Sequence, residues 1–141
     1  MTIYVDQNIS YRIACALNCL STQISRKLPF TLSVVALRES SFGADAPDET
    51  WIPQVAKDGD WIFTQDINVR RRDQQLELLR AHGTNIIYLR SSEATNGFWR
   101  MAKRSVSAWE NVIALIVKHH KHSHNAIEVS LRDEVTWESY K

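Results

Sequence analysis

Glycine and proline are scarce in this chain, four and three among 141 residues. That is too few for a collagen-like repeat or for the turn-dense pattern of an all-β fold. Cysteine is limited to Cys15 and Cys19, four apart in a helical pattern. Two such residues make no disulfide framework, and without nearby histidines they are a poor zinc ligand set. No segment approaches the roughly 20 uninterrupted apolar residues that a membrane span needs. Met1 and Thr2 lead straight into IYVD, without the basic flank and apolar stretch of a signal peptide. The expectation from these absences is a reduced, cytoplasmic chain without a membrane anchor. An excess of one charge sign is missing too. With a formal charge of +1, composition exerts no general pull on nucleic acid, so any anion-binding surface must come from local clustering.

What is present is globular: 44% apolar and 23% charged residues in the length of one ordinary domain. We expect a single domain over residues 1–141, packed over about 2–131 and followed by a loosely held tail, 132–141. Apolar strand-like runs at 3–5, 32–37, 61–64 and 85–89 alternate with amphipathic stretches, and 126–131 could supply a last edge strand. Ser10 can cap a helix with Ile9, Ile13, Ala16, Leu17 and Leu20 on one stripe. A second helix begins near Asp48, with Ile52, Val55 and Ala56 inward; Pro53 suits it if the start slides toward Thr50 and leaves Pro53 near the first turn. A third, 74–82, turns Leu76 and Leu79 inward and ends at Gly83. The longest, about 98–118, has Ala102, Val106, Trp109, Ile113 and Ile116 at helical spacing and Arg100, Lys103, Arg104 and Glu110 on its other face. Trp51, Trp61, Trp99 and Trp109 fall in apolar patterns and are expected in the core, while Trp137 in the tail suits either packing or contact with a partner. This alternation predicts an α/β fold: a three-layer α/β/α sandwich around a mainly parallel sheet of four to five strands.

In such a sheet all strand C-termini share one edge, and ligands bind in the crevice outside it. The stretch WIFTQDINVRRR ends a strand on Thr64, Asp66 and Asn68 and continues into Arg70, Arg71 and Arg72. Asp6 follows the first strand and Asp48 opens a helix on the same side, with Asp45 and Glu49 close by in sequence. Carboxylates gathered there repel one another, and a Mg²⁺ or Mn²⁺ ion would offset that repulsion. Asn68 can add a neutral oxygen, Thr64 can orient Asp66, and the three arginines can hold phosphates. Each acid taken alone is more often a cap or turn former, and a run of arginines is more often a solvated surface; it is the recurrence at strand ends that favours a site. KHHKHSH, 118–124, pairs His120 with His124 at helical spacing but holds no acid, so helix C-terminal residues answering the dipole explain it better than a metal site.

Together, IYVDQNIS, DETWIPQVAKDGDWIFTQD and the order of elements around them resemble the PIN-like domains, the metal-dependent nuclease fold of VapC-type toxins, and in particular their short group. The likeness covers about residues 2–117. It implies that Asp6, Asp48 and Asp66 hold Mg²⁺ or Mn²⁺ and that RNA phosphodiesters are hydrolysed by a metal-activated water. It also implies an antitoxin partner covering the acidic site, and a homodimer. Asn68 stands where many relatives have a fourth acid, and Glu93, after the fourth strand, is a candidate replacement. The alternative is a PIN-like module that binds RNA or protein without turnover. A phosphoacceptor receiver domain would need an acidic pair where Asp6-Gln7 stand, and a haloacid-type phosphatase a second Asp at Asn8; both are disfavoured.

Overall fold

The computed structural model of the chain describes all residues except 67, 68 and 93, and all side chains except those three and residues 66 and 69–72. The elements alternate as β1 (Thr2–Val5), α1 (Tyr11–Ile24), β2 (Ser33–Ala36), α2 (Asp48–Lys57), β3 (Trp61–Asp66), α3 (Val69–His82), β4 (Asn85–Arg90), α4 (Phe98–His119), β5 (Asn125–Val129) and β6 (Val135–Ser139), with short 3-10 turns at Ser25–Lys27 and Leu37–Glu39. The six strands form one sheet in the order β2-β1-β3-β4-β5-β6. The first five are parallel, with Val5 opposite Phe63, and Asp66 opposite Arg90. β6 is antiparallel to β5.

Alternation along the strands sorts the sheet's side chains into two cores, as the period of two requires. Ile3, Val5, Trp61, Phe63, Ile87 and Leu89 pack under α1 and α4. Ile62 and Ile86 pack with Trp51, Ile52, Val55 and Leu79 under α2 and α3. The expected α/β/α sandwich is therefore the fold, with one strand more than anticipated.

The sixth strand corrects the loosely held tail. Val135–Ser139 completes the sheet edge, and the Trp137 ring stacks on His119 at 3.6 Å and 5° while its Nε1 donates to Asn125 Oδ1. The Tyr140 hydroxyl donates to the carbonyls of Thr84 and Leu79, and burial pushes its pKa up to about 12. Too few of these residues are apolar for periodicity to reveal them. Their anchorage is aromatic stacking and hydrogen bonding.

Other departures have similarly local causes. Helix α1 buries Ile13, Ala14, Leu17 and Ser21, so its inward stripe is rotated from the expected one and leaves Ala16 and Leu20 exposed. Helix α2 does start at Asp48, and Pro53 sits beyond its first turn; the Glu49 carbonyl loses its intrahelical donor where that residue is exposed to water. Helix α3 begins at Val69, five residues before the expected start, because three arginines oppose the positive end of a helix dipole and disguise a helix opening. On α4, Val106 faces solvent and Arg104 is 5% exposed. Its Nε donates to Asp133 Oδ1 at 2.6 Å and its Nη2 to the Ser130 carbonyl at 2.9 Å, clipping α4 to the β5–β6 turn while the aliphatic stem stays in the core. Trp51, Trp61 and Trp109 are buried as expected, but Trp99 is 74% exposed.

One connection differs from the rest. β3 to β4 and β4 to β5 step the same way across the sheet, yet α3 lies on one face and α4 on the other. The β4–α4–β5 crossover thus has the opposite hand to its neighbour, and to the two connections before it, against a strong general preference for one hand. Placing α4 beside α1 leaves the α3 side of β5 and β6 without a helix. A cavity of about 600 Å³ opens there, lined by Leu76, Tyr88, Ala126, Thr136 and Tyr140 among others.

Two stability measurements follow. Arg104→Ala should cost about 1–3 kcal/mol in urea unfolding, the range for losing charged hydrogen bonds from a buried group whose partner is half exposed, whereas Lys103→Ala should cost almost nothing. Asp60 accepts the Thr2 N–H at 2.7 Å, and burial raises its pKa above the usual 3.8. The folded chain therefore keeps this proton to higher pH than the unfolded chain, and stability falls as pH rises through the window above 3.8. Asp60→Asn keeps the acceptor without the charge and should raise the melting temperature at pH 7, with the gain vanishing below pH 3.8.

Candidate active site

The sheet order places β1 between β2 and β3, so α1 leaves toward one face and α2 toward the other. The C-terminal ends of β1 and β3 lie at that divide, where open α/β sheets hold their ligands. Asp6 is the first residue beyond β1 and is 2% exposed. Its backbone N–H donates to the Phe63 carbonyl at 2.8 Å, continuing the ladder with β3.

The Asp6 carboxylate is held by neutral donors. Oδ1 accepts the Gln7 N–H at 2.7 Å, and Oδ2 accepts Thr64 Oγ1 at 2.9 Å and Gln75 Nε2 at 3.2 Å. No cationic side chain among the described residues pairs with it. Asn8 stands behind this arrangement. Its Nδ2 donates to Thr64 Oγ1 at 3.1 Å and to the Gln65 carbonyl at 3.0 Å, and its Oδ1 accepts the Gln65 N–H at 3.4 Å. The Asn8 amide thus acts as a further rung beside β3 after the β1 backbone has turned away. The series Asn8 to Thr64 to Asp6 aligns each donor with the next acceptor, so each bond polarises its neighbour. The side chain of Gln65 donates in turn to the Asn8 carbonyl.

Asp48, at the start of α2, accepts Trp51 Nε1 at 3.1 Å. It lines a cavity of about 370 Å³ with Glu49, Gln74, Gln75, Glu77 and Leu78. Gln75 is the link between the two acids, because it borders this cavity and also donates to Asp6. Asp45 is exposed in the preceding loop, which Gln7 Nε2 ties down through the Ala44 carbonyl. The backbone of Asp66 ends β3 two residues past Thr64, a rise of about 7 Å along the strand. Its side chain, those of Arg70, Arg71 and Arg72, and residues Asn68 and Glu93 lie outside the described residues; the backbone of the three arginines belongs to the first turn of α3, not to the loop beyond Asp66.

Among the described residues no group of three or more His, Cys, Asp or Glu is placed to hold a metal ion. That includes the histidine-rich segment, whose helix stops at His119. His120 packs edge-on against Phe30 and bonds the Val117 carbonyl, while His124 adopts a positive φ beside Gly83 and Tyr140. The residues that sequence reasoning missed are Gln75, Gln65 and the structural work of Asn8. Gln75 falls on the inward side of α3 beside Leu79, and a buried polar residue at a helix position facing a strand end is the signal that could have found it.

For the bare requirement of a hard divalent cation, the donor chemistry fits. A carboxylate accepts about four hydrogen bonds or metal contacts. Asp6 uses three of these positions on neutral donors, which leaves one acceptor position on Oδ1. An oxygen donor set of this kind suits Mg²⁺ or Mn²⁺.

Comparison with known proteins agrees with the geometry over the same residues. A family model described as "PIN like domain" matches residues 1–91, from β1 to just beyond the end of β4. No curated protein and no solved structure matches the chain. With more than half its length matched, and with the strand-end aspartates inside the matched part, the chain belongs to the PIN-like domain family.

Proposed function

We propose that this PIN-like domain is a metal-dependent endoribonuclease of the short, VapC-like group, with Asp6, Asp48 and Asp66 as the metal ligands and Mg²⁺ or Mn²⁺ as the ion. The observation that carries the reading is the Asp6 carboxylate: a buried anion, oriented by three neutral donors and without a cationic partner among the described residues. Burying an anion this way is costly unless a cation or strong hydrogen bonds offset it, and such an environment has a use where a divalent ion is bound.

When bound, such an ion supplies Lewis-acid polarisation of a phosphoryl oxygen and lowers the pKa of water. The chain's own residues do the rest. Thr64 and Gln75 fix the rotamer of Asp6, and Asn8 fixes Thr64, so the ligand oxygen is in place before substrate arrives. The cavity of about 370 Å³ bordered by Asp48 and Gln75 is proposed to take the phosphodiester. Arg70, Arg71 and Arg72, in the first turn of the helix that follows β3, are proposed to grip the flanking phosphates. We extend the reading to a toxin held inactive by a small antitoxin over this acidic mouth, and to a homodimer. A module that binds RNA without turnover is the second reading, favoured by Asn68 at the position of a fourth acid.

The test is cleavage of a generic single-stranded RNA in the presence of Mn²⁺. Asp6→Asn and Asp66→Asn should each abolish product, and the melting temperature of each variant checks that it remains folded under the assay conditions. Cleavage that survives both substitutions excludes the site. Thr64→Val removes the Oγ1 donor without touching a ligand, and should weaken Mn²⁺ binding by about 10- to 100-fold, as loss of an orienting partner does elsewhere. Calorimetric titration with Mn²⁺ reads this directly, and RNA binding without cleavage in the unmodified protein would select the second reading.

A further inference from the structure

The charge of +1 hides an uneven distribution. From Gln7 to Arg38 the chain has no acid, while it has Arg12, Arg26, Lys27 and Arg38. Helix α4 carries Arg100, Lys103, Arg104 and Lys118 against one acid, Glu110. These two segments supply the helices of the same layer, α1 and α4. That layer is cationic, whereas α2 and α3 mix Asp48, Glu49, Asp73 and Glu77 among their bases.

Both helices of this layer begin at the strand edge that carries Asp6. Trp109 Nε1 donates to Ser21 Oγ at 2.9 Å, fixing the level of one helix against the other. Tyr11 and Trp99 each precede that contact by ten residues, or about 15 Å of helix. They therefore stand at matching heights on the rim. Tyr11 is covered by two guanidinium groups, Arg12 at 4.7 Å and Arg38 at 4.8 Å from the ring centroid, and Arg38 also meets Glu39 at 3.4 Å. Trp99 is 74% exposed and Phe98 42%, the two rings meeting edge to face at 5.2 Å. Arg100 and Lys103 are exposed beside them.

A single exposed apolar residue means little. An open indole face flanked by cations, with no acid within the same helical turns, at the edge where a polyanion is cleaved on the reading above, is a more specific combination. Aromatic rings interleaved with Arg and Lys are how proteins hold unpaired bases and the phosphates between them. In a duplex the base faces are stacked on one another and unavailable to Trp99.

We infer that Trp99 is a stacking platform for an unpaired base of the RNA, whose backbone would cross the sheet edge from Arg100 and Lys103 toward Asp6. This rests on the nuclease reading for the direction of the strand, but the platform lies in α4, beyond the matched residues 1–91, and can be tested without turnover. The Asp6→Asn protein is titrated, without divalent metal, with a fluorescein-labelled RNA of mixed sequence and about 12 nucleotides, and with the same RNA annealed to its complement. The single strand should bind more tightly than the duplex. Trp99→Ala should weaken single-strand binding by about 5- to 150-fold, the range for losing one base–aromatic stack, and Trp99→Phe should restore most of it. Lys103→Ala should lower the salt dependence of binding by about 0.7 in log–log slope. Equal binding by Trp99→Ala and its parent, equal binding of duplex and single strand, or no RNA binding at all overturns the proposal. A Trp99→Ala protein that binds RNA normally but no longer self-associates in sedimentation does so too, and marks the rings as a protein interface. If the unmodified protein fails to cleave with Mn²⁺ while the Trp99 effect persists, the nuclease reading falls and the platform stands.

Discussion

The arrangement depends on how one carboxylate is held inside the protein. Asp6 sits where the β1 backbone stops pairing, and burying its oxygens there without hydrogen-bond partners would destabilise the fold. Three donors prevent this, and each belongs to a different level of the fold. The Gln7 N–H is local backbone, Thr64 belongs to the neighbouring strand, and Gln75 comes from the helix that covers it. The carboxylate is thus correctly held only when β1, β3 and α3 are all assembled. Asn8 reinforces the join by taking the place of a strand partner for Gln65 and presenting a donor to Thr64. A motif read as Asp-x-Asn at the end of a strand therefore has a mechanical meaning. The acid is the proposed metal ligand, and the amide two residues later repairs the ladder that the acid's turn interrupts.

The same edge explains why two of the cavities differ in the chemistry of their walls. The larger one, about 600 Å³, lies over β4 to β6 because α4 crosses on the opposite face, and its described walls include neither Asp6 nor Asp48. The smaller, about 370 Å³, is bordered by Asp48 and by the residue that holds Asp6. Size follows from where the helices fall; chemistry follows from where the strands end.

Much of this was legible in the sequence, and the parts that were not share a cause. The five parallel strands, the cap at Ser10, the stop at Gly83 and the start of α2 at Asp48 are written in apolar runs and in residues with strong local preferences. β6 was hidden because an edge strand with one half-buried valine has no apolar alternation to read. The first turn of α3 was hidden because arginine at a helix N-terminus contradicts the dipole rule. Arg104 looked like a surface residue because its type dominates its period, although position 104 lies one turn from Met101 and Ala108 and next to Ser105 on the buried stripe. Trp99 is the inverse case, an apolar residue on the outer stripe. For the site, strand-end aspartates could be named from sequence, but their supporting amides could not. Asn8, Gln65 and Gln75 are ordinary polar residues until the fold sets them against a buried acid.

Helix α4 brings the cationic layer and the acidic edge into relation. Had its crossover kept the hand of the other connections, it would cover β5 and β6 on the α3 side, and Trp99, Arg100 and Lys103 would stand apart from α1. Crossing instead on the α1 face, it sets its N-terminus level with Tyr11, Arg12 and Arg38. The Asp6 carboxylate, without a cationic partner among the described residues, and the cations beside Tyr11 and the open face of Trp99 then share one strand edge. The unfavourable hand leaves one face of the sheet open, and the clip of Arg104 on Asp133 and Ser130 ties α4 to the turn that closes the sheet. A residue in the core thereby secures the N-terminal half of the helix, the half that carries the exposed rings.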